Sequence, residues 1–210
     1  MMYRQTFAAL LAVFLFVSVA AAQKAEVTVS LNEAFFDALL DSVYQNFDPP
    51  QFQISNSEGS ATCSESVKIL REMNGVRTSV RFRDGKIYVP LAFSGNYNPP
   101  LIGCLDFAGW AESNLELEFD KANQRLIGRV RVLNVNLNGT GGVGGTVIAR
   151  LIQSSIDKKL NPIEILAIDK MSIGVPIQKS GNLNMKAVAV TPEIGNGVVN
   201  IRIGYEFRKN

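Results

Sequence analysis

The chain contains no histidine. Imidazole is the usual general base of Ser-His-Asp and Cys-His nucleophilic sites and a common metal ligand, so those sites and most zinc sites are excluded. Cysteine is almost as scarce: Cys63 and Cys104 are the two residues of that type, and neither has a C-x-x-C partner. Charge of one sign is not in excess either. The 21 basic and 19 acidic residues give a formal net charge of +2 at pH 7, with nothing like the basic stripe that a phosphate backbone selects, so no nucleic-acid partner is expected. The one long apolar run, Phe7 to Val19, extends over about 13 to 16 residues, short of the ~20 that a bilayer-spanning helix needs.

That run has a different reading. Arg4 precedes it, Ser18 is its one polar interruption, and Ala20 to Ala22 supply the small residues that a signal peptidase reads. Residues 1–22 are therefore expected to be a secretory signal peptide, and residues 23–210 to form one domain, periplasmic or secreted. Roughly 190 residues suffice for one well-cored domain and are few for two. In an oxidising compartment a Cys63–Cys104 disulfide is the default, closing a loop of about 41 residues; two free or catalytic thiols are the rival reading. The basic excess from Thr146 onward leaves room for a transient contact with an anionic membrane surface.

Periodicity supplies the elements. Glu26 to Ser30 reads as a strand. From Asn32, Phe35, Phe36, Leu39, Leu40, Val43, Tyr44 and Phe47 recur at helical spacing, with Glu33, Asp37, Asp41 and Gln45 on the other face. Ser30 or Asn32 can cap this helix and Asp48-Pro49-Pro50 ends it. Ser55 to Ser66 reads as a loop, with a short helix expected over Ser66 to Glu72. Val80 to Phe93 predicts a hairpin about Asp84-Gly85, and Leu115 to Leu137 a second hairpin about Asp120 to Arg125. In its return strand the apolar set moves from Val130 and Val132 to Leu133, Val135 and Leu137, which implies a bulge or burial on both sides. A second helix carries Val147, Ile148, Leu151, Ile152, Ile156 and Leu160 on one face and stops at Asn161-Pro162. Three alternating strands follow, Met171 to Ile177, Leu183 to Val190 and Val199 to Phe207, with turns at Lys179 to Asn182 and Pro192 to Gly197. Segments this close must pair antiparallel.

Several motifs compete for a chemical role. Gly139 to Gly144 satisfies G-x-G-x-x-G, yet the strand before it alternates like an antiparallel member, and Gly145 stands where a nucleotide-triphosphate loop has lysine. Sharp turning into the helix is the simpler use of these glycines. Asp106, Glu112, Glu116, Glu118 and Asp120 could supply the paired carboxyls of a glycosidase, but Glu116 and Glu118 alternate with Leu115 and Leu117 and so face solvent. Tyr97, Pro99, Pro100, Phe107 and Trp110 make Gly95 to Trp110 read as an aromatic lip, at a pocket mouth, at lipid headgroups or as a plug for the core. Asn138-Gly139-Thr140 fits the glycosylation pattern. No metal site and no cofactor are expected.

The opening Val27-Thr-Val-Ser-Leu-Asn-Glu-Ala-Phe-Phe-Asp-Ala-Leu-Leu40, and the later helix leading into a meander that ends Asn200-Ile-Arg-Ile-Gly-Tyr-Glu-Phe207, resemble tubular lipid-binding (TULIP) domains. The resemblance implies a strongly curved antiparallel sheet wrapped around amphipathic helices, an interior that holds lipid or another apolar ligand, and no catalysis. The fold class expected is thus α+β. The expected ligand-binding residues are Phe35, Phe36, Leu39, Leu40 and Val43 of the first helix with Ile148, Leu151, Ile152 and Ile156 of the second. A structural or interaction module of the cell envelope with a filled core is the alternative function, and a carboxylate-dependent hydrolase a second alternative.

Overall fold

The structure, a computed structural model, describes residues 24–54, 63–98, 103–138, 145–159, 161–178 and 181–209. The signal peptide expected at residues 1–22, residues 55–62 of the expected loop, Pro99-Pro100 of the expected aromatic lip, the glycine motif Gly139 to Gly144, Leu160 and Lys179-Ser180 of an expected turn lie outside the described residues. Along the chain the elements are β1 (Lys24–Asn32), α1 (Glu33–Asn46), β2 (Gln51–Gln53), β3 (Ser66–Leu70), β4 (Glu72–Met73), β5 (Val76–Arg77), β6 (Arg81–Arg83) and β7 (Lys86–Tyr88). Then come β8 (Leu91–Tyr97), β9 (Leu105–Asp120), β10 (Arg125–Leu137), α2 (Gly145–Lys159) and β11 (Ile163–Ala167). A 3-10 turn (Ile168–Met171), β12 (Ile173–Ile177), β13 (Gly181–Ile194) and β14 (Val198–Lys209) complete the fold.

The described strands pair antiparallel throughout. One sheet has the order β1-β14-β13-β12, joining the two ends of the described chain. A larger one runs β11-β10-β9-β8-β3-β2, with β7 pairing β9 and β6 pairing β7. Both are curled into half-barrels, and with two α-helices among the described residues the class is α+β.

Alternation then decides what meets what. The small sheet turns Val199, Ile203, Tyr205, Ala187 and Val190 inward, where they are buried against Leu126, Phe82 and Ile87 of the large sheet. Further along the same face of the large sheet, α2 replaces the small sheet. Ile148, Ile152 and Ile156, four residues apart on one helical row, pack against Val67, Phe93, Ala111 and Val135. The polar flank of α2 has work of its own: β10 loses β11 as a neighbour after Gly128, and side-chain amides take over there. Asn161 accepts from the Val130 N–H and donates to its carbonyl, both at 2.9 Å, and Gln153 accepts from the Val132 N–H at 2.7 Å. Exposed strand edges need some such cover.

Helix α1 begins where Asn32 accepts the Phe35 N–H at 2.9 Å, a cap of about 1 kcal/mol, and it ends before Asp48-Pro49-Pro50. Elsewhere the structure corrects the expectations. Ser66 to Leu70 is strand β3, because β2 and β8 flank it and complete its ladder on both sides, which a short isolated helix could not match. The hairpin arm from Ile87 to Phe93 is broken at Pro90, which cannot donate to a ladder; β7 pairs β6 while β8 pairs β3. The aromatic lip is largely strand, since β8 and β9 pair as far as Tyr97 opposite Leu105. Strand β13 runs on through Pro192 to Ile194, so the following turn is shorter than expected. The register shift in β10 between Val132 and Asn134 is the anticipated bulge, and it leaves Leu133 51% exposed.

Candidate functional site

Three rows of side chains divide the surface of α1. Glu33, Asp37 and Asp41 form the first, and they do not simply face water. Asp41 accepts from Arg71 Nε at 2.6 Å and from Arg77 Nη2 at 2.6 and 2.8 Å, and Asp37 lies 3.1 Å from Arg81 Nη1. Glu33 also accepts the Phe82 N–H at 2.7 Å. Hydrogen bonds from Arg71 and then Arg77 hold the Asp41 carboxyl below its ordinary range, and Asp41 in turn raises the Arg77 guanidinium.

This ionic flank fixes the roll of the helix. The second row, Phe36, Leu40 and Tyr44, faces inward: Phe36 meets Phe82 edge to face with ring centroids 5.5 Å apart, while Leu40 and Tyr44 border a cavity. The third row is left outside. Phe35 and Leu39 are 47% and 48% exposed, and Val43 is half-buried.

The cavity encloses about 240 Å³. Leu40 and Tyr44 of α1 form one side and Ile152, Ser155 and Ile156 of α2 another; strand and loop residues Pro50, Phe52, Ile54, Val67, Ile69, Thr78, Val80, Val89, Leu91 and Val130 complete it. Its polar atoms are already engaged. Thr78 Oγ1 donates to the Leu70 carbonyl at 2.6 Å and accepts the Ala92 N–H at 2.9 Å, and Ser155 Oγ donates to the Gln53 carbonyl at 2.5 Å. Burial pushes the Tyr44 hydroxyl up, partly offset by the Arg71 charge and a hydrogen bond with Thr78. What remains is a hydrocarbon-lined space without a reactive group.

Of the nine expected ligand-binding residues, Leu40, Ile152 and Ile156 therefore line one cavity. Ile148 and Leu151 pack in the adjoining cluster with Phe93 and Val135, Phe36 packs on Phe82, and Phe35, Leu39 and Val43 lie on the outer flank. The strand wall was not among the expected residues. Its signal was present as the alternation of Val89 and Leu91, or Val67 and Ile69, but alternation does not say which strands will face the helices.

The acidic group has no such convergence. Asp106, Glu112, Glu116 and Glu118 are exposed, and Asp106 and Glu112 stand six residues apart on β9, roughly 20 Å at strand rise, against the ~5 to 10 Å of glycosidase pairs. Asp120 is spent on its own turn: its side chain accepts from Asn123 and Arg125, which lower its carboxyl. Among the described residues no group of three or more His, Cys, Asp or Glu could hold a metal ion.

Cys63 and Cys104 are bonded, with Cα atoms 5.6 Å apart, which accords with an extracellular setting. Among the described residues no helix is long and apolar enough to cross a membrane. No protein-family model matches this chain, and no curated protein matches it.

Proposed function

We propose that the protein is an exported carrier, periplasmic or secreted, that binds the hydrocarbon part of a lipid or a similar apolar ligand between α1 and α2 and performs no catalysis. The observation that carries this reading is the cavity bounded by Leu40, Tyr44, Ile152 and Ile156, whose polar neighbours already have partners. An apolar cavity of about 150 Å³ stays dry and takes up benzene. At about 240 Å³ this one suits a ring-sized guest or part of a single acyl chain, with the head group outside. Each methylene removed from water contributes ~0.8 kcal/mol, so a handful is enough for useful affinity. In this reading the curled sheets and the two helices are a short version of the tubular lipid-binding architecture.

Native mass spectrometry of protein purified from an exporting host is expected to show a copurifying lipid, and a fluorescent fatty acid is expected to bind at one site per chain. Repeated preparations free of lipid, together with failure of the fatty acid to bind, would overturn the proposal. The envelope-scaffold reading draws on the packing of Phe36, Ile148 and Leu151 in the core clusters, and it is the one left standing by that result.

A further inference from the structure

On the other face of the large sheet we propose a second binding site, for a small monoanion attached to a flat apolar body, such as an aromatic carboxylate. Strand parity separates it from the apolar cavity: Val80, Val89 and Leu91 line the cavity, whereas Arg81, Tyr88 and Pro90 line a groove behind them. The groove encloses about 350 Å³, within the ~300 to 1,000 Å³ of small-molecule sites.

Its walls are aromatic and aliphatic. Register places Arg81 opposite Tyr88, Trp110 and Glu112 extend the same face along β9, and the bulge in β10 turns Leu133 out beside them. Bulges characteristically re-aim a side chain in this way. The charges are divided as well. Arg81 is engaged by Asp37 and Glu33 of α1, but Arg83 pairs with no carboxylate among the described residues. Its guanidinium lies 4.3 Å over the Tyr88 ring. Stacking occupies one face of the guanidinium and leaves its in-plane N–H fork available to an oxyanion. Lys86 stands directly opposite Arg83 but is exposed and lines a neighbouring hollow, so among the described residues Arg83 is the free cation of the groove itself. Glu112, also without an ion-pair partner among the described residues, stands on the lining and repels a second negative charge. One anionic group at Arg83 with a flat body against Tyr88, Trp110 and Leu133 is the arrangement these residues accept.

Trp110 is the only tryptophan in the chain, so its emission reports the groove directly. Titration with 4-nitrobenzoate, whose ring quenches indole emission, is expected to give saturable quenching. The uncharged 4-nitrobenzyl alcohol is expected to bind at least tenfold more weakly. Arg83→Gln, an exposed substitution checked for an unchanged melting temperature, should lower nitrobenzoate affinity at least tenfold, and Arg83→Lys should recover part of it. Linear quenching like that of free N-acetyltryptophanamide, equal affinity for acid and alcohol, or indifference to Arg83→Gln would overturn the site. A parallel arm uses phosphatidylglycerol vesicles: binding to these that depends on Arg83, without saturable quenching by the soluble acid, would reassign the groove to a lipid headgroup and likewise overturn the proposal.

Discussion

Ile148 and Ile152 offer a controlled test of whether the interior has room for a guest. They are the same residue type on the same row of α2, one turn apart, and are 6% and 5% exposed. Both belong to the cluster of Phe93, Ala111 and Val135, but Ile152 also borders the cavity and Ile148 does not. Replacing either by phenylalanine adds about one methylene of volume in a flatter shape. In a filled core such overpacking costs ~1 to 3 kcal/mol, so Ile148→Phe is expected to lower the melting temperature by roughly 2 to 12 °C at ~2 to 4 °C per kcal/mol. Ile152→Phe can turn its ring into the open space and is expected to cost less than ~1 kcal/mol. It should also displace about one methylene of ligand, weakening fatty-acid binding about fourfold at ~0.8 kcal/mol per methylene. Urea unfolding of both variants supplies the comparison, with an unchanged m-value as the check that the same transition is followed. Equal costs at the two positions, or a larger one at Ile152, would refute the claim that α2 and α1 enclose accessible space.

Three further outcomes are expected. Replacing Cys63 and Cys104 by serine opens a loop spanning a sequence separation of 41 and should remove about 4 kcal/mol in the chain-entropy model, read as a lower urea midpoint that matches the reduced wild type. Because Arg71 and Arg77 depress the Asp41 carboxyl, its contribution is present above the unfolded carboxylate range near ~3.9 and is lost as pH falls through the lower folded value. Melting temperatures between pH 5 and pH 2 should thus fall more steeply for wild type than for Asp41→Asn, and parallel curves would rule this out. Asn161→Ala leaves the Val130 N–H without its side-chain partner and the Val130 carbonyl with the longer Gln153 contact at 3.4 Å, at a cost of about 1 to 3 kcal/mol; hydrogen exchange should accelerate at the Val130 amide before it does in β14.

How much of this was legible beforehand depended on whether a segment's own chemistry decided its state. Helix α1 has a cap at Asn32, a proline stop and an apolar arc at helical spacing, and it lies where those signals put it. Strands β12 to β14 alternate cleanly and sit close together, which forces antiparallel pairing. The first half of β9 concealed itself, because its inward positions Gly109, Ala111 and Ser113 are small. At Gly109 the size has a cause across the sheet: a Cβ there would overlap the Asn136 carbonyl oxygen, so β10 approaches too closely for any side chain at that position. Ser66 to Leu70 carries apolar residues compatible with either period, and its neighbours in the ladder decide for strand.

The candidate site shows the same division within a single helix. The apolar arc of α1 spans two rows, Phe35-Leu39-Val43 and Phe36-Leu40-Tyr44, and helical spacing alone cannot choose the one that turns inward. The choice is made by Arg71, Arg77 and Arg81, thirty or more residues away in sequence, which draw the acidic row of α1 onto the β3 to β6 segment. Rolling the helix toward those arginines brings Leu40 and Tyr44 over the cavity and leaves Phe35 and Leu39 in solvent. An acidic row on an amphipathic helix is ordinarily a solvated face; here it meets three arginines from one short stretch of strands, and that match of charge and spacing was the available clue. The arginines thereby set which side of α1 a guest would meet, and Arg71 also holds the lining directly by donating to the Thr78 carbonyl.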